Sequence, residues 1–465
     1  MGKLTRRGLL RQASFAGAAA VGFPYLVRPS AVGAAGTVAP SERIAMGFIG
    51  TGGHGRDMNI RSFLAQDDAQ AIVVCDVDPQ QMAMAEKMVN DKYSNRDCAT
   101  TKDWREVIAR ADIDAVMIST PDHWHVPISI AAARAGKDVE CEKPTLTVEE
   151  GRALVETMER YSRVFQWSTE DRAVDVYHRM CELVRNGRIG RVHTIRVELP
   201  AGPDSPGNPE PQPIPEGFDY DMWLGPAPWA PYTKDRIHWN FRWIWDYSGG
   251  MLTDWGAHLL DGAQWGNNTE HTGPVEVEGK GKFHTGGLWD TAYEYHLEYK
   301  YADGVRLIVT SGNPSLRFEG DKGWIGNRGW RAPLEAEPAS ILTSVIGPMK
   351  CACSPNPRAN SGTSSIASRA ARPAISRPRR ASDASPSPIS ATSPCDWGRS
   401  SAGTRRPNGS SITTRPTGCS AGRCAARGRF SQQGWKGLSG NGYGKVEQNY
   451  DCGGVDLCGD LWYVQ

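Results

Sequence analysis

Gly50-Thr51-Gly52-Gly53-His54-Gly55 follows an apolar run and has glycine at its first, third and sixth places. That spacing permits a tight turn, close approach of backbone N–H groups to a pyrophosphate, and close packing of the helix that follows. Asp76 lies about twenty residues further on, at the end of a second apolar run, where a carboxylate can accept hydrogen bonds from a ribose 2′-hydroxyl. A 2′-phosphate there would meet a like charge, and no Arg or Lys directly follows, so the pattern favours NAD over NADP. The competing reading is an ordinary glycine-rich strand–helix turn.

Three further segments could complete a reaction site. Lys143, between Glu142 and Pro144, closes another apolar stretch. A buried ammonium at a strand end can hydrogen-bond a substrate hydroxyl and stabilise the alkoxide formed as the proton leaves, whereas most lysines are surface residues. In Gly249-Gly250-Met251-Leu252-Thr253-Asp254-Trp255-Gly256-Ala257-His258, a helix starting at about Leu252 would place Asp254 and His258 on one face. His258 could then act as a base near neutral pH, with Asp254 orienting it or binding a second hydroxyl; a structural His–Asp pair is the alternative. Thr120-Pro121-Asp122-His123-Trp124-His125 reads as an irregular loop, in which His123 and His125 make a poor metal pair. No metal is expected there, and a cofactor-ribose or substrate contact competes evenly with loop packing.

The segment from Trp223 to Trp265 is crowded with tryptophan. Indole can stack on the apolar face of a sugar, although core packing is the default for most of these residues. His125, Trp223, Arg242 and Trp255 are the residues expected on the substrate side. The cofactor side is assigned to Gly50 through Gly55, Asp76, Thr120, Pro121, His123, Glu142 and Lys143.

Strands alternating with helices must position these loops. Arg43 to Ile49, Ala71 to Cys75, Ala115 to Ser119 and Asp138 to Cys141 read as buried strands. Helices are expected over about His54 to Ala65 (with Met58, Phe63 and Leu64 on one side), Pro79 to Asn90 and Val126 to Ala135. A Thr147/Glu150 capping box opens another helix, running to about Tyr161. This alternation predicts a doubly wound parallel sheet of the Rossmann type over residues 40–170. From 171 to 350 the pattern becomes α+β: a helix over about Ala173 to Asn186, a strand over Val192 to Leu199, and a Pro-rich loop from Gly202 to Gly217. Alternating runs Val275 to Phe283, Tyr293 to Lys300 and Val305 to Thr310 follow and predict a mainly antiparallel open sheet covered on one side.

The 465 residues allow two or three domains, and a net charge of +1 selects no partner. The body has no basic stripe, so nucleic acid is not an expected partner. Of the eleven cysteines, only Cys75, Cys98, Cys141 and Cys181 lie before Lys350, and they form no CxxC pair. Residues 1–39 read as a twin-arginine leader and linker: Thr5-Arg6-Arg7-Gly8-Leu9-Leu10-Arg11, a mild apolar stretch from Ala13 to Val27, and a cleavage site at Val32-Gly33-Ala34. The stretch is too short and Gly-rich for a comfortable membrane anchor, so the expectation is export to the periplasm by the twin-arginine machinery. From Cys351 to the end the chain turns rich in Ser, Arg, Pro, Ala and Gly, which reads either as a disordered tail or as a shifted reading frame. Regrouping Pro394-Cys395-Asp396-Trp397-Gly398 by one base permits Ala-Met-Arg-Leu-Gly, a helix-compatible string, and resequencing the locus decides between the two.

Taken together, the chain resembles the Gfo/Idh/MocA family of oxidoreductases from about Arg43 to Ile346. The resemblance rests on Gly50 to Gly55, Cys75-Asp76-Val77-Asp78, Thr120-Pro121-Asp122-His123, Glu142-Lys143-Pro144 and Gly250 to His258. It implies a Rossmann domain, an α/β domain with an open sheet, and NAD chemistry on a hydroxyl of a sugar, sugar derivative or cyclitol. By position it carries the family's catalytic lysine, aspartate and histidine onto Lys143, Asp254 and His258. The open sheet offers a surface for a homo-oligomer. The chain departs from the family after Met349-Lys350, where closing helices are expected. Two other readings stay open: a redox-neutral NAD-dependent glycoside hydrolase, and a non-catalytic nucleotide- or sugar-binding remnant.

Overall fold

Short, largely buried strands build the centre of the first sheet, flanked by less buried edge strands. The structure, a computed structural model, describes residues 38–347. The segment read as a twin-arginine leader and the stretch from Cys351 read as a disordered or frame-shifted tail lie outside these residues, apart from Val38 and Ala39 of the expected linker. Strands β1 (Ile44–Ile49), β2 (Ala69–Cys75), β3 (Ala99–Thr101), β4 (Ala115–Ile118), β5 (Asp138–Cys141) and β6 (Phe165–Trp167) pair in parallel, in the order β3-β2-β1-β4-β5-β6. Strand order reverses between β1 and β4, and the crevice beyond their carboxyl ends is where such sheets bind ligands. β4 is buried throughout, as helices on both faces require.

Local signals set the helix boundaries. A π-helical turn over Gly55–Ile60 runs into α1 (Arg61–Leu64). For α2 (Pro79–Tyr93), the Asp78 carboxylate accepts from the Gln80 N–H, Pro79 fills the first turn, and left-handed Ser94 ends the helix. After α3 (Trp104–Ala109) and α4 (Asp122–Arg134) comes α5 (Val148–Tyr161), whose Thr147/Glu150 capping box is formed as the sequence suggests.

The second sheet is mixed. It contains β7 (Val192–Leu199), β8 (Glu276–Lys282), β9 (Glu294–Lys300), β10 (Arg306–Ser311), β11 (Ser315–Gly320), β12 (Gly323–Gly326) and β13 (Glu335–Glu337). Its order is β13-β12-β11-β7-β10-β9-β8, antiparallel except where β10 meets β7. Helix α6 (Asp175–Arg185) precedes it, and α7 (Tyr220–Leu224), α8 (Met251–Asp254) and α9 (Gly256–Gly266) come between β7 and β8. Tyr177, Met180 and Leu183 of α6 and Leu259 and Ala263 of α9 share one core with Ile195, Val197, Val309, Leu316 and Phe318 of the sheet. Each such large apolar side chain contributes about 1.5–3 kcal/mol by burial. Along β7 the alternate residues Arg196 and Glu198 face solvent.

Four expectations need correction. Helix α4 starts at Asp122 rather than Val126, so Asp122, His123 and His125 stand on a helix and not in a loop. Asp122 in the first turn suits the positive helix end, and Pro121 supplies the extended residue before it. Met58 is 52% exposed while Ile60 is fully buried, because the wide π-helical turn shifts which residues face inward. The helix expected from Leu252 is instead two, α8 and α9, meeting at Trp255. The elements β3, α3 and β6 were not foreseen, being too short to show a hydrophobic period.

Candidate active site

The glycine loop is built around Asp76. Its Oδ2 accepts from the Thr51 backbone N–H at 2.6 Å and from Thr51 Oγ1 at 3.1 Å, and its Oδ1 accepts from the Asp78 N–H at 2.9 Å. Burial pushes this carboxyl upward, and those three hydrogen bonds oppose the shift. Thr51 is fully buried, so its hydroxyl and N–H brace the turn from inside and do not face a ligand, contrary to its predicted cofactor contact. Gly50 has φ +84°, and a Cβ there would stand 2.6 Å from the Ser119 carbonyl. At Gly55 a Cβ would come within 2.4 Å of the Gly50 oxygen.

A cavity of about 730 Å³ opens over this loop and the strand ends. Gly50, Gly52, Gly53, His54, Gly55, Asp76, Thr120, Pro121, Glu142 and Lys143 line one part of it. Arg242, Asp254, Trp255, His258 and Trp330, from the second half of the chain, line another. The fit to NAD can be tested on the walls. Gly52 and Gly53 have open space where a side chain would stand, and Thr120 Oγ1 is buried without a partner. The volume lies in the range of small-molecule sites. The residues present fit a dinucleotide.

Glu142 and Lys143 hold opposite charges side by side. Burial would raise the Glu142 carboxyl, but His54, Lys143 and Asn59 more than reverse this and hold it at about 2. His54 Nε2 lies 3.0 Å from its Oε1, and Asn59 Nδ2 donates to the same oxygen at 3.0 Å. The His54 ring is disfavoured as a cation by burial but raised, on balance, by Glu142. Lys143 Nζ donates to the Asp254 carboxylate and, at 3.1 Å, to the Asp254 carbonyl. Burial works against the ammonium, but Asp254 and then Glu142 outweigh it and raise the amine above its ordinary range. Asp254 is buried yet held well below the usual carboxylate range by Lys143 and by Arg242, whose Nε donates to its Oδ2 at 2.8 Å.

Asp254 does not orient His258. The break at Trp255 sends the two side chains to different partners, and His258 Nδ1 stands 2.9 Å from Asp171 Oδ2. Arg331 Nη2 reaches Glu170 Oε1 at 2.7 Å and Asp171 Oδ1 at 3.2 Å, balancing both carboxylates. Glu170, Asp171 and His258 present ligand atoms within 4.8 Å of one another, and the Arg331 guanidinium already supplies the positive charge at this cluster. Trp330 packs against the His258 ring at 5.2 Å. Asp171 and Arg331 were missed in the sequence. Thr169-Glu170-Asp171 begins two residues after the end of β6, a strand-end placement like that of Lys143, but β6 itself was too short to be read from the sequence, so no signal marked these residues.

Three other predicted contacts serve structure instead. His123 is not on the cavity wall: its Nε2 donates to the Trp223 carbonyl at 2.9 Å, its ring packs on Trp223 and Tyr247, and burial lowers it to about 4. Helical twist puts Asp122 and His125, one turn apart, on the cavity side, and carries His123 away from it. His125 is 1% exposed, with Nδ1 and Nε2 each 2.8 Å from a backbone oxygen, of Pro144 and Thr120 respectively. It ties two strand-end loops together and has no nitrogen left for a substrate. Trp223 is 6% exposed and packs between Tyr220 and Tyr247, so it is core that touches the cavity edge. Asp122, unremarked in the sequence, is buried and accepts from Ser248 Oγ at 2.6 Å; burial pushes it up to about 7.

Comparison with known proteins agrees with this architecture. Residues 44–169 match the model of an oxidoreductase family's NAD-binding Rossmann fold, and residues 205–329 match that family's C-terminal alpha/beta domain. Among similar proteins is a glycosyl hydrolase family 109 protein of Saccharopolyspora erythraea, 33% identical over 180 residues, which are 34% of this chain and 38% of the relative. Another is the levoglucosan dehydrogenase of Pseudarthrobacter phenanthrenivorans, 32% identical over 139 residues, 29% of this chain and 34% of the relative. The chain thus spans less than half the length of these relatives. Among solved structures, the WlbA dehydrogenase from Bordetella pertussis in complex with NADH and UDP-GlcNAcA aligns with TM-score 0.49 at 18% identity, over 63% of this chain and 75% of that one. The chain belongs to the Gfo/Idh/MocA oxidoreductase family, and its residues 44–169 are an NAD-binding Rossmann domain.

Proposed function

We propose that this family member oxidises a hydroxyl of a sugar, sugar derivative or cyclitol with NAD. One observation carries the reading: an ammonium hydrogen-bonded to one buried carboxylate, and an imidazole whose Nδ1 lies 2.9 Å from a second, line the same cavity as the glycine loop. Bound NAD would supply the hydride acceptor. His258 takes the hydroxyl proton at Nε2, since Nδ1 faces Asp171. Asp171 holds the ring and stabilises the imidazolium that forms. Lys143, kept charged by Asp254, donates a hydrogen bond to the oxygen as it becomes an alkoxide. Arg242 shares Asp254 and stops that carboxylate from leaving the amine.

The second reading is redox-neutral glycoside cleavage by oxidation, elimination and re-reduction. It is favoured by the relative named as a glycosyl hydrolase family 109 protein. The Arg6-Arg7 leader supports export, and a periplasmic enzyme of this kind would keep its NAD and recycle it in place. The altered tail after Lys350 supports a frame shift in this chain.

The test is to incubate purified protein with free sugars, cyclitols and aryl glycosides while following NADH and released aglycone. NADH formation supports the dehydrogenase; aglycone release without net NADH supports the hydrolase. His258→Ala should abolish either reaction while NAD is retained. Asp171→Asn should lower kcat by about a hundredfold with little change in KM, within the range for general-base catalysis. Wild-type rates in either variant, or NAD retention with no turnover of any sugar, would end the assignment.

A further inference from the structure

Of the tryptophans between Trp223 and Trp265, one is both well exposed and on the cavity wall. Trp239 is 57% exposed and lines the cavity beside Arg242 and Trp255. Trp229 and Trp245 are more exposed, at 77% and 64%, but neither borders it. Leaving a large apolar ring in water at a cavity wall needs a reason beyond core packing, because this ring is not in the core.

The ring follows an unusual backbone residue and is held by one contact. His238, the residue before it, has φ +51°, in the left-handed region that non-glycine residues seldom occupy. The Arg242 guanidinium lies 4.0 Å from the centre of the Trp239 ring. That guanidinium is itself fixed, since its Nε donates to Asp254, the partner of Lys143. A single relay of contacts therefore ties the exposed indole to the proposed reaction centre. The cation covers part of the ring and leaves more than half of the side chain open.

We propose that Trp239 is a stacking platform for a second sugar ring, so that the substrate is a glycoside or disaccharide and not a free monosaccharide. A pyranose presents a flat apolar face of C–H groups, which an open indole matches, while its hydroxyls stay in water or meet polar groups at the rim. This inference rests on the carbohydrate reading above and adds a subsite to it. The unit that reacts sits at Lys143 and His258, and the neighbouring unit lies against Trp239.

The test measures equilibrium binding of two pairs, glucose with cellobiose and galactose with lactose, to the NADH-loaded protein. Wild type should bind the better disaccharide about tenfold more tightly than its monosaccharide, a factor typical of one aromatic contact. Trp239→Ala should erase that preference, Trp239→Phe should keep part of it, and Trp245→Ala should keep all of it. A wild type that binds both members of each pair alike, or binds none of them, overturns the platform, as does a Trp239→Ala variant with its preference intact. Because the readout is binding, a platform without turnover would refute the oxidoreductase reading alone.

Discussion

Asp254→Asn removes one negative charge from between two buried cations. The side chains of Lys143, Asp254 and Arg242 are 10%, 7% and 15% exposed. At the 2.8 Å separating Arg242 Nε from Asp254 Oδ2, two unit charges attract by about 6 kcal/mol at an effective dielectric of about 20. Desolvating each ion costs several kcal/mol, so the intact triad is close to neutral relative to a well-packed apolar cluster. Taking out its centre is different. Lys143 and Arg242 then face each other across an amide, and the loss expected for breaking a buried pair is about 3–5 kcal/mol. Lys143→Met relieves that repulsion, so the double variant should recover about 2 kcal/mol relative to Asp254→Asn alone. The assay is urea unfolding at neutral pH of wild type, both single variants and the double. Additivity to within about 0.5 kcal/mol would refute the account. A second readout follows from the sign of the shifts. With Asp254 neutral, burial depresses the Lys143 amine, so any remaining turnover should be lost at lower pH than in wild type as pH rises.

Two further outcomes are expected. Gly55→Ala places a Cβ 2.4 Å from the Gly50 oxygen, so the loop must open; overpacking of this kind costs about 1–3 kcal/mol, and NAD affinity should fall at least about tenfold by calorimetry. Unchanged affinity would show that the loop does not hold the cofactor as described. Asp122 has a folded value of about 7 against an ordinary 3.8, so between those limits the folded state binds the extra proton and wild-type stability falls as pH rises. Asp122→Asn lacks that dependence, and its stability relative to wild type should grow by up to about 4 kcal/mol between about pH 4 and pH 7. Parallel stability–pH curves for the two proteins would count against a buried, raised carboxyl.

What could be read from the sequence was set by how local each signal is. The glycine loop, Asp76, Lys143 and the Thr147/Glu150 cap depend on residues within one strand–turn–helix unit, and all of these lie where such units put them. The start of α4 was not legible, because the Pro–Asp–His–Trp–His string carries turn-forming and helix-forming residues together, and packing against the Trp223 segment decides the matter. The break at Trp255 was equally hidden. A helical period from Leu252 to His258 is present in the sequence, yet the chain tightens there and the His258 N–H bonds the Trp255 carbonyl, three residues back. Partners from distant segments leave no spacing to detect: Asp171 and His258 are 87 positions apart, and Asp122 and Ser248 are 126 apart.

The exchange of partners at Asp254 and His258 bears on which group moves the proton. Had Asp254 oriented the histidine, one carboxylate would have served both the amine and the imidazole, and each would have weakened its hold on the other. The structure gives each base or acid a separate anion. Asp254 is held too low to accept a proton near neutrality, and Lys143 is held too high to give one up. Glu142, locked by His54 and Asn59 at about 2, is equally unavailable. None of these three can take the proton, which is consistent with the role proposed above for His258. Its Nδ1 lies 2.9 Å from Asp171 Oδ2, so if Asp171 sets the ring's orientation during turnover, its loss should appear in kcat before it appears in binding.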